Sequence, residues 1–106
     1  MDLHLFIYPA YFLGGGFFAN AIPHLINGVS GRSFQTPFAD PPGKGLSSST
    51  INVLWGFANL VIAWLLVFCV GSFELRKFQH AAVLGAGMLL MFIMSARVFG
   101  PFHGGR

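Results

Sequence analysis

The side chains that could carry chemistry are few and widely spaced. The acids are Asp2, Asp40 and Glu74, the histidines are His4, His24, His80 and His103, and Cys69 is the one cysteine. A single cysteine excludes an internal disulfide and any cysteine-based metal framework. Near the end of an apolar run, Cys69 reads as a small hydrophobe. No His, Cys or acidic residues cluster at ligand spacing, so no metal site is expected. Haem is the one cofactor worth testing, because the chain order pairs His24 with His103 and His4 with His80 as axial ligands between helices. The bland reading is that His103, in a Gly-rich tail, and His4, near the terminus, are exposed, and the expectation is no cofactor. Ser47, His24 and Asp40 supply the residue types of a hydrolytic triad, but nothing in their spacing fixes a geometry. Pro42-Gly43-Lys44-Gly45 falls short of a phosphate-binding loop: Phe38 stands where the first glycine belongs, and Gly45 follows the lysine where Ser or Thr is required.

Uncharged polar residues are better organised. Gly16, Asn20, His24 and Asn27 are spaced by four, four and three residues, which puts them on one stripe of a helix. Asn52, Gly56, Asn59 and Ala63 form a second stripe. Polar groups at membrane depth cost free energy unless paired, so these positions are the candidate site. Asn20, His24, Asn27, Asn52 and Asn59, with Arg97, are expected to line a one-sided polar vestibule that binds or passes a small polar solute or ion. The competing role for the Asn and His side chains is interhelical glue, and for Arg97 a snorkelling anchor. Ser95 and Arg97 lie about 160° apart on a helix, so they cannot share one face.

The elements that position these residues follow from the apolar runs. Hydrophobic residues make up 55% of the 106 and charged residues 8%. A water-soluble domain this short buries only about 60% of the surface its unfolded chain exposes, and lipid has to cover the remainder. Crossing a hydrocarbon core takes about 20 helical residues. Three stretches qualify: about 5–26, about 51–70 and about 80–99. The expected fold class is therefore an all-α integral membrane protein, a single domain of three transmembrane helices. The first span contains Pro9, Gly14-Gly15-Gly16 and Pro23; it starts either at Pro9, as a first-turn proline, or tilted from Leu3. The glycines are expected to serve close packing rather than a break. Ser47 to Thr50 are candidate caps of the second span. Gly100-Pro101 is expected to stop the third, and Asn27 before Gly28 resembles an ordinary helix ending. Ala19-Asn20-Ala21 is formally a signal-peptide cleavage site, but no Lys or Arg precedes it, so no cleavage is expected.

Residues 28–50 form a long connection rich in Gly, Pro, Ser and Thr. It also carries Phe34, Phe38 and Leu46, which a flexible linker does not need. It is expected to be an ordered lid, with Arg32, Phe34, Phe38, Asp40 and Lys44 as its contact residues. Both stripes end at this loop, in the same leaflet.

Net charge is +3, from scattered basic residues with no run that would track a phosphate backbone, so nucleic acid is not an expected partner. Arg76 and Lys77 lie on the side of the N-terminus, whereas Arg32, Lys44, Arg97 and Arg106 lie on the other. The positive-inside rule then puts the long loop and C-terminus in the cytoplasm, in a bacterial-type inner membrane, with dual insertion as the alternative. The lipid bilayer is one expected partner. A cavity built from three spans per chain calls for further copies, so a homo-oligomer is expected. An accessory subunit docked on a heterologous membrane partner is the alternative, and a membrane-embedded enzyme or haem- or lipid-binding protein is a third. Transport coupled to protons or sodium is disfavoured, because no carboxylate lies at membrane depth.

Overall fold

A computed structural model of the chain describes residues 3–105, with side chains from Leu5 onward. Asp2, Arg106 and the His4 side chain lie outside the described residues, and with them the pairing of His4 with His80. A 3-10 turn (Leu3–Phe6) leads into α1 (Ile7–Val29). A two-stranded ribbon of β1 (Phe34–Gln35) and β2 (Leu46–Ser47) follows, then α2 (Ser49–Phe68) and α3 (Phe78–His103).

Local chemistry explains most of the boundaries. Pro9 sits in the first turn of α1, where backbone N–H groups have no intrahelical partner to lose. The helix runs unbroken through the glycine triplet and Pro23 to Val29, beyond the expected ending at Asn27. The glycine that ends it is Gly31, at φ 77°. Gly31 N–H donates to the Gly28 carbonyl at 3.0 Å and Arg32 N–H to the Asn27 carbonyl at 2.8 Å, the two bonds of a Schellman ending. Ser48 caps α2 by accepting the Ile51 N–H at 3.2 Å. The expectation that Gly100-Pro101 stops α3 is corrected: the helix continues to His103 and ends at Gly104, at φ 81°. Pro101 withholds one N–H, the one that would meet the Arg97 carbonyl, and the last turn closes beyond it through the Gly104 and Gly105 N–H groups, which both donate to the Gly100 carbonyl.

α1 lies between α2 and α3, which pack on it and scarcely on each other. Small residues on both faces of α1 permit this. A Cβ on Gly14 would come within 2.6 Å of the Val67 side chain of α2, and one on Gly15 would run into the Leu84 carbonyl of α3. Gly87 of α3 meets the Phe12 carbonyl in the same way, and Gly28 lies against Val53 of α2. The glycine triplet therefore faces two helices at once.

α2 and α3 are each long and apolar enough to cross a membrane. Their large apolar side chains point outward, among them Leu54, Phe57, Trp64, Leu89 and Ile93. α1 has the length, but Tyr, Pro, Asn and His residues interrupt its apolar run. The helix whose apolar run is most interrupted is thus the one packed on two sides.

In the long connection, β1 pairs antiparallel with β2, Phe34 opposite Ser47 and Gln35 opposite Leu46. Thr36 and Ser47 hydroxyls bond across the ribbon, and the Thr36 carbonyl accepts from Ala39 and Gly43 N–H. The Asp40-Pro41 bond is cis. Gly45 packs on the Asp40 backbone, where a Cβ would lie 2.5 Å from the carbonyl oxygen.

Candidate functional site

The two polar stripes face each other across the seam between α1 and α2. Asn59 Nδ2 donates to its own helix, at the Trp55 carbonyl (2.8 Å), which leaves its Oδ1 to accept Asn20 Nδ2 at 3.1 Å. Two helical turns nearer the loop, Asn52 Nδ2 lies 3.1 Å from the Phe34 carbonyl, 3.2 Å from that of Ser47 and 3.0 Å from that of Ser48. Its NH2 group is therefore committed to the ribbon and to the start of α2. Oδ1 must be the atom 2.8 Å from His24 Nδ1. An amide oxygen can only accept, so the His24 proton sits on Nδ1 and, in the neutral ring, Nε2 is bare. Asn52 thereby fixes the His24 tautomer and ties it to the loop.

This seam is filled. Asn52 and Asn59 are fully buried and His24 is 2% exposed. His24 sits in an aromatic box of Phe34, Trp55 and Phe99, with ring centroids at 5.5, 6.4 and 6.3 Å. Only Asn20 borders open space, a 130 Å³ crevice shared with Gly16, Phe12 and Met91. Asn27 closes the end of α1 rather than joining the seam: its Nδ2 donates to the Pro23 carbonyl and its Oδ1 accepts Arg32 Nε at 3.1 Å.

Arg97 is not brought to the other candidates. It is exposed, in a separate cleft of about 450 Å³ with His103, Phe34, Phe99 and Gly100. Phe34 and Phe99 touch His24 on one side and line this cleft on the other, so they divide the two sites. Among the lid residues Phe34 is buried, while Arg32, Phe38, Asp40 and Lys44 are exposed, with the Phe38 ring edge-on to Trp55 at 5.0 Å. His24 and His103, the two histidines that chain order puts on one side, each meet a ring of the ribbon rather than each other. The Phe34 ring packs against both, its centroid 5.5 Å from that of His24 and stacked 5.1 Å from that of His103, whose Nε2 donates to the Gln35 Oε1 at 2.8 Å. Among the described residues no group of three or more His, Cys, Asp or Glu side chains could hold a metal ion.

Sequence reasoning missed Gln35 and Thr36, which are 4% and 1% exposed. A Gly/Pro/Ser-rich segment gives no sign that two of its polar residues are buried; the only hint is the flanking Phe34. His80, which the sequence offered only as a partner for His4, is 6% exposed. From the first turn of α3 its Nδ1 accepts the Glu74 N–H at 3.0 Å, inside a cluster with Tyr8, Tyr11 and Phe73. Two buried polar atoms, Tyr11 Oη and Trp55 Nε1, have no partner among the described residues.

On the short loop, Lys77 Nζ lies 2.9 Å from the Glu74 carboxylate. Its hydrogen bond, and then its charge, hold the Glu74 carboxyl below the usual range; Glu74 holds Lys77 above its own.

Comparison with protein-family models, curated proteins and solved structures finds no match.

Proposed function

We propose that the chain is an integral membrane protein of three spans that serves as an accessory subunit, docking on another membrane helix through the outer face of α3. The apolar residues exposed along α2 and α3 support the membrane reading, because a water-soluble surface rarely carries so large a contiguous patch. α1 enters as the third span by its 23-residue length and its position between the other two. The bilayer is a bacterial-type inner membrane, with the long loop and C-terminus facing the cytoplasm.

The observation that carries the docking reading is on α3. Ala82, Gly85, Ala86 and Leu89 share one face and are all exposed, and a Cβ on Gly85 would meet nothing within 4 Å. Small residues let membrane helices approach closely. Inside the chain that device is used at Gly15 and Gly87, whereas on this face no helix of the same chain uses it. Gly85→Leu leaves the monomer fold intact and abolishes the complex. The test is crosslinking in native membranes: a heterologous partner at fixed stoichiometry, lost in Gly85→Leu, supports the reading, and self-crosslinks alone replace it with a homo-oligomer.

The cleft of Arg97 and His103 favours a second reading, binding of a small anion at the loop-side surface. The filled seam speaks against conduction through Asn20, His24, Asn52 and Asn59. Proteoliposomes should show no flux above empty vesicles; flux that His24→Ala and Asn59→Leu both diminish would reinstate a solute path.

A further inference from the structure

α2 and α3 diverge on one side of α1 and leave a groove of about 570 Å³ whose lining is wholly apolar. Phe73 and Leu75 of the short loop form its outer end, and Phe18, Phe57, Leu84 and Met88 reach its inner end. From Phe68 to Phe57 is eleven residues of α2, about 16 Å at about 1.5 Å per residue. That is half of a hydrocarbon core of about 30 Å. The groove begins at one surface and stops near the midplane, the depth of a single leaflet.

The shape discriminates between occupants. A partner helix crosses both leaflets and prefers small residues at its contact. This groove ends halfway, and its walls are Phe, Trp, Leu, Met and Val, with neither glycine nor serine and with Ala63 the one alanine. A flexible hydrocarbon chain fits such walls, and the volume lies within the roughly 300–1,000 Å³ of small-molecule sites. Charge at the mouth selects the head. Glu74 and Lys77 neutralise one another at 2.9 Å, while Arg76, next to the groove residue Leu75, is exposed and makes no ion pair among the described residues.

Resting on the membrane reading above, we infer that this groove binds an anionic phospholipid of the short-loop leaflet. One acyl chain lies between α2 and α3, and the phosphate meets Arg76. The groove is separate from the small-residue face of α3, so lipid and partner helix do not compete.

The test is native mass spectrometry of the full chain in mild detergent, offered phosphatidylglycerol or phosphatidylcholine of the same chain length. The wild-type protein retains phosphatidylglycerol with about fivefold preference, the scale of one basic residue at a lipid surface. Arg76→Gln removes the preference and retains both lipids equally. Val61→Trp, on the exposed groove wall, blocks retention of both while helical circular dichroism is unchanged. Wild-type protein without retained lipid, or Arg76→Gln with its preference intact, overturns the inference, as does dissociation of a dimer by Val61→Trp in place of lipid loss. Alkaline carbonate extraction separates this from the parent reading: a chain that stays with the membrane yet retains no lipid sinks the lipid site alone.

Discussion

Asn52 spends both ends of one amide, its NH2 on three backbone carbonyls and its oxygen on His24. Replacing it with leucine strands carbonyls of the ribbon and a buried imidazole N–H together, and each buried unsatisfied group costs about 1–3 kcal/mol. Asn52→Leu is therefore expected to lose about 3 kcal/mol or more in equilibrium unfolding followed by circular dichroism. Asn59→Leu breaks a single interhelical bond of the kind worth about 0.6 kcal/mol. Equal losses in the two variants would show that the ribbon is not held by Asn52. The pairs Asn20–Asn59 and His24–Asn52 join the two stripes, and that these residues form stripes was legible in the sequence from spacing alone. Whether they enclosed space or filled it was not, because that depends on how closely α1 and α2 approach, which Gly14, Gly28 and Gly56 decide. At the short loop, the sign of the pH dependence follows from the shifts. Glu74 lies below its ordinary 4.5, so its stabilising contribution is present above 4.5 and is lost as pH falls through the depressed value. Lys77 lies above its ordinary 10.5, so its contribution is present below 10.5 and is lost as pH rises through the raised value. Both side chains are exposed, and salt screens the pair. Lys77→Gln should raise the Glu74 midpoint in an NMR titration without altering thermal stability at neutral pH; an unmoved midpoint would mean the pair does not persist in solution.

Between elements, glycines at three positions of α3 and α1 make a graded prediction. A side chain at Gly87 would meet the Phe12 backbone, its carbonyl carbon at 2.8 Å, which cannot move without displacing α1. Gly87→Val should destabilise the fold by about 2 kcal/mol, in the range of overpacked cores, and Gly15→Val similarly. Gly85→Val, two residues from Gly87 but facing outward, should leave the melting temperature of the detergent-solubilised chain unchanged. A loss at Gly85 matching that at Gly87 would mean that α3 is rotated from the position described. The three apolar runs could be read directly as helices. Their ends were less accessible, because Pro101 and Gly28 carry the sequence marks of termination without ending a helix: the last turn of α3 closes past Pro101 on the Gly100 carbonyl, and Gly28 packs on α2. The ribbon escaped because two strands of two residues each leave no periodicity to detect.

At the scale of the whole molecule, the chain is inverted relative to a soluble domain: polar side chains are buried along the seam of α1 and α2, and large apolar ones face outward on α2 and α3. Composition announced the apolar surface, but not which helix would be enclosed, since that follows from α1 having glycine on two faces and not from any average over the chain. The enclosure bears on how the protein is made. On the three-span reading proposed above, α1 leaves the ribosome carrying Asn20 and His24 at depths where bare amide and imidazole groups are costly in lipid, and their partners, Asn59 and Asn52, are not synthesised until α2, beyond the ribbon. α1 on its own should therefore stay out of the bilayer until α2 arrives, so that the two enter as a hairpin, with α3 added last. A reporter fused after Val29 would then report failed insertion and one fused after Phe68 success. Efficient insertion of α1 alone would mean that the seam closes only after both helices are already in place.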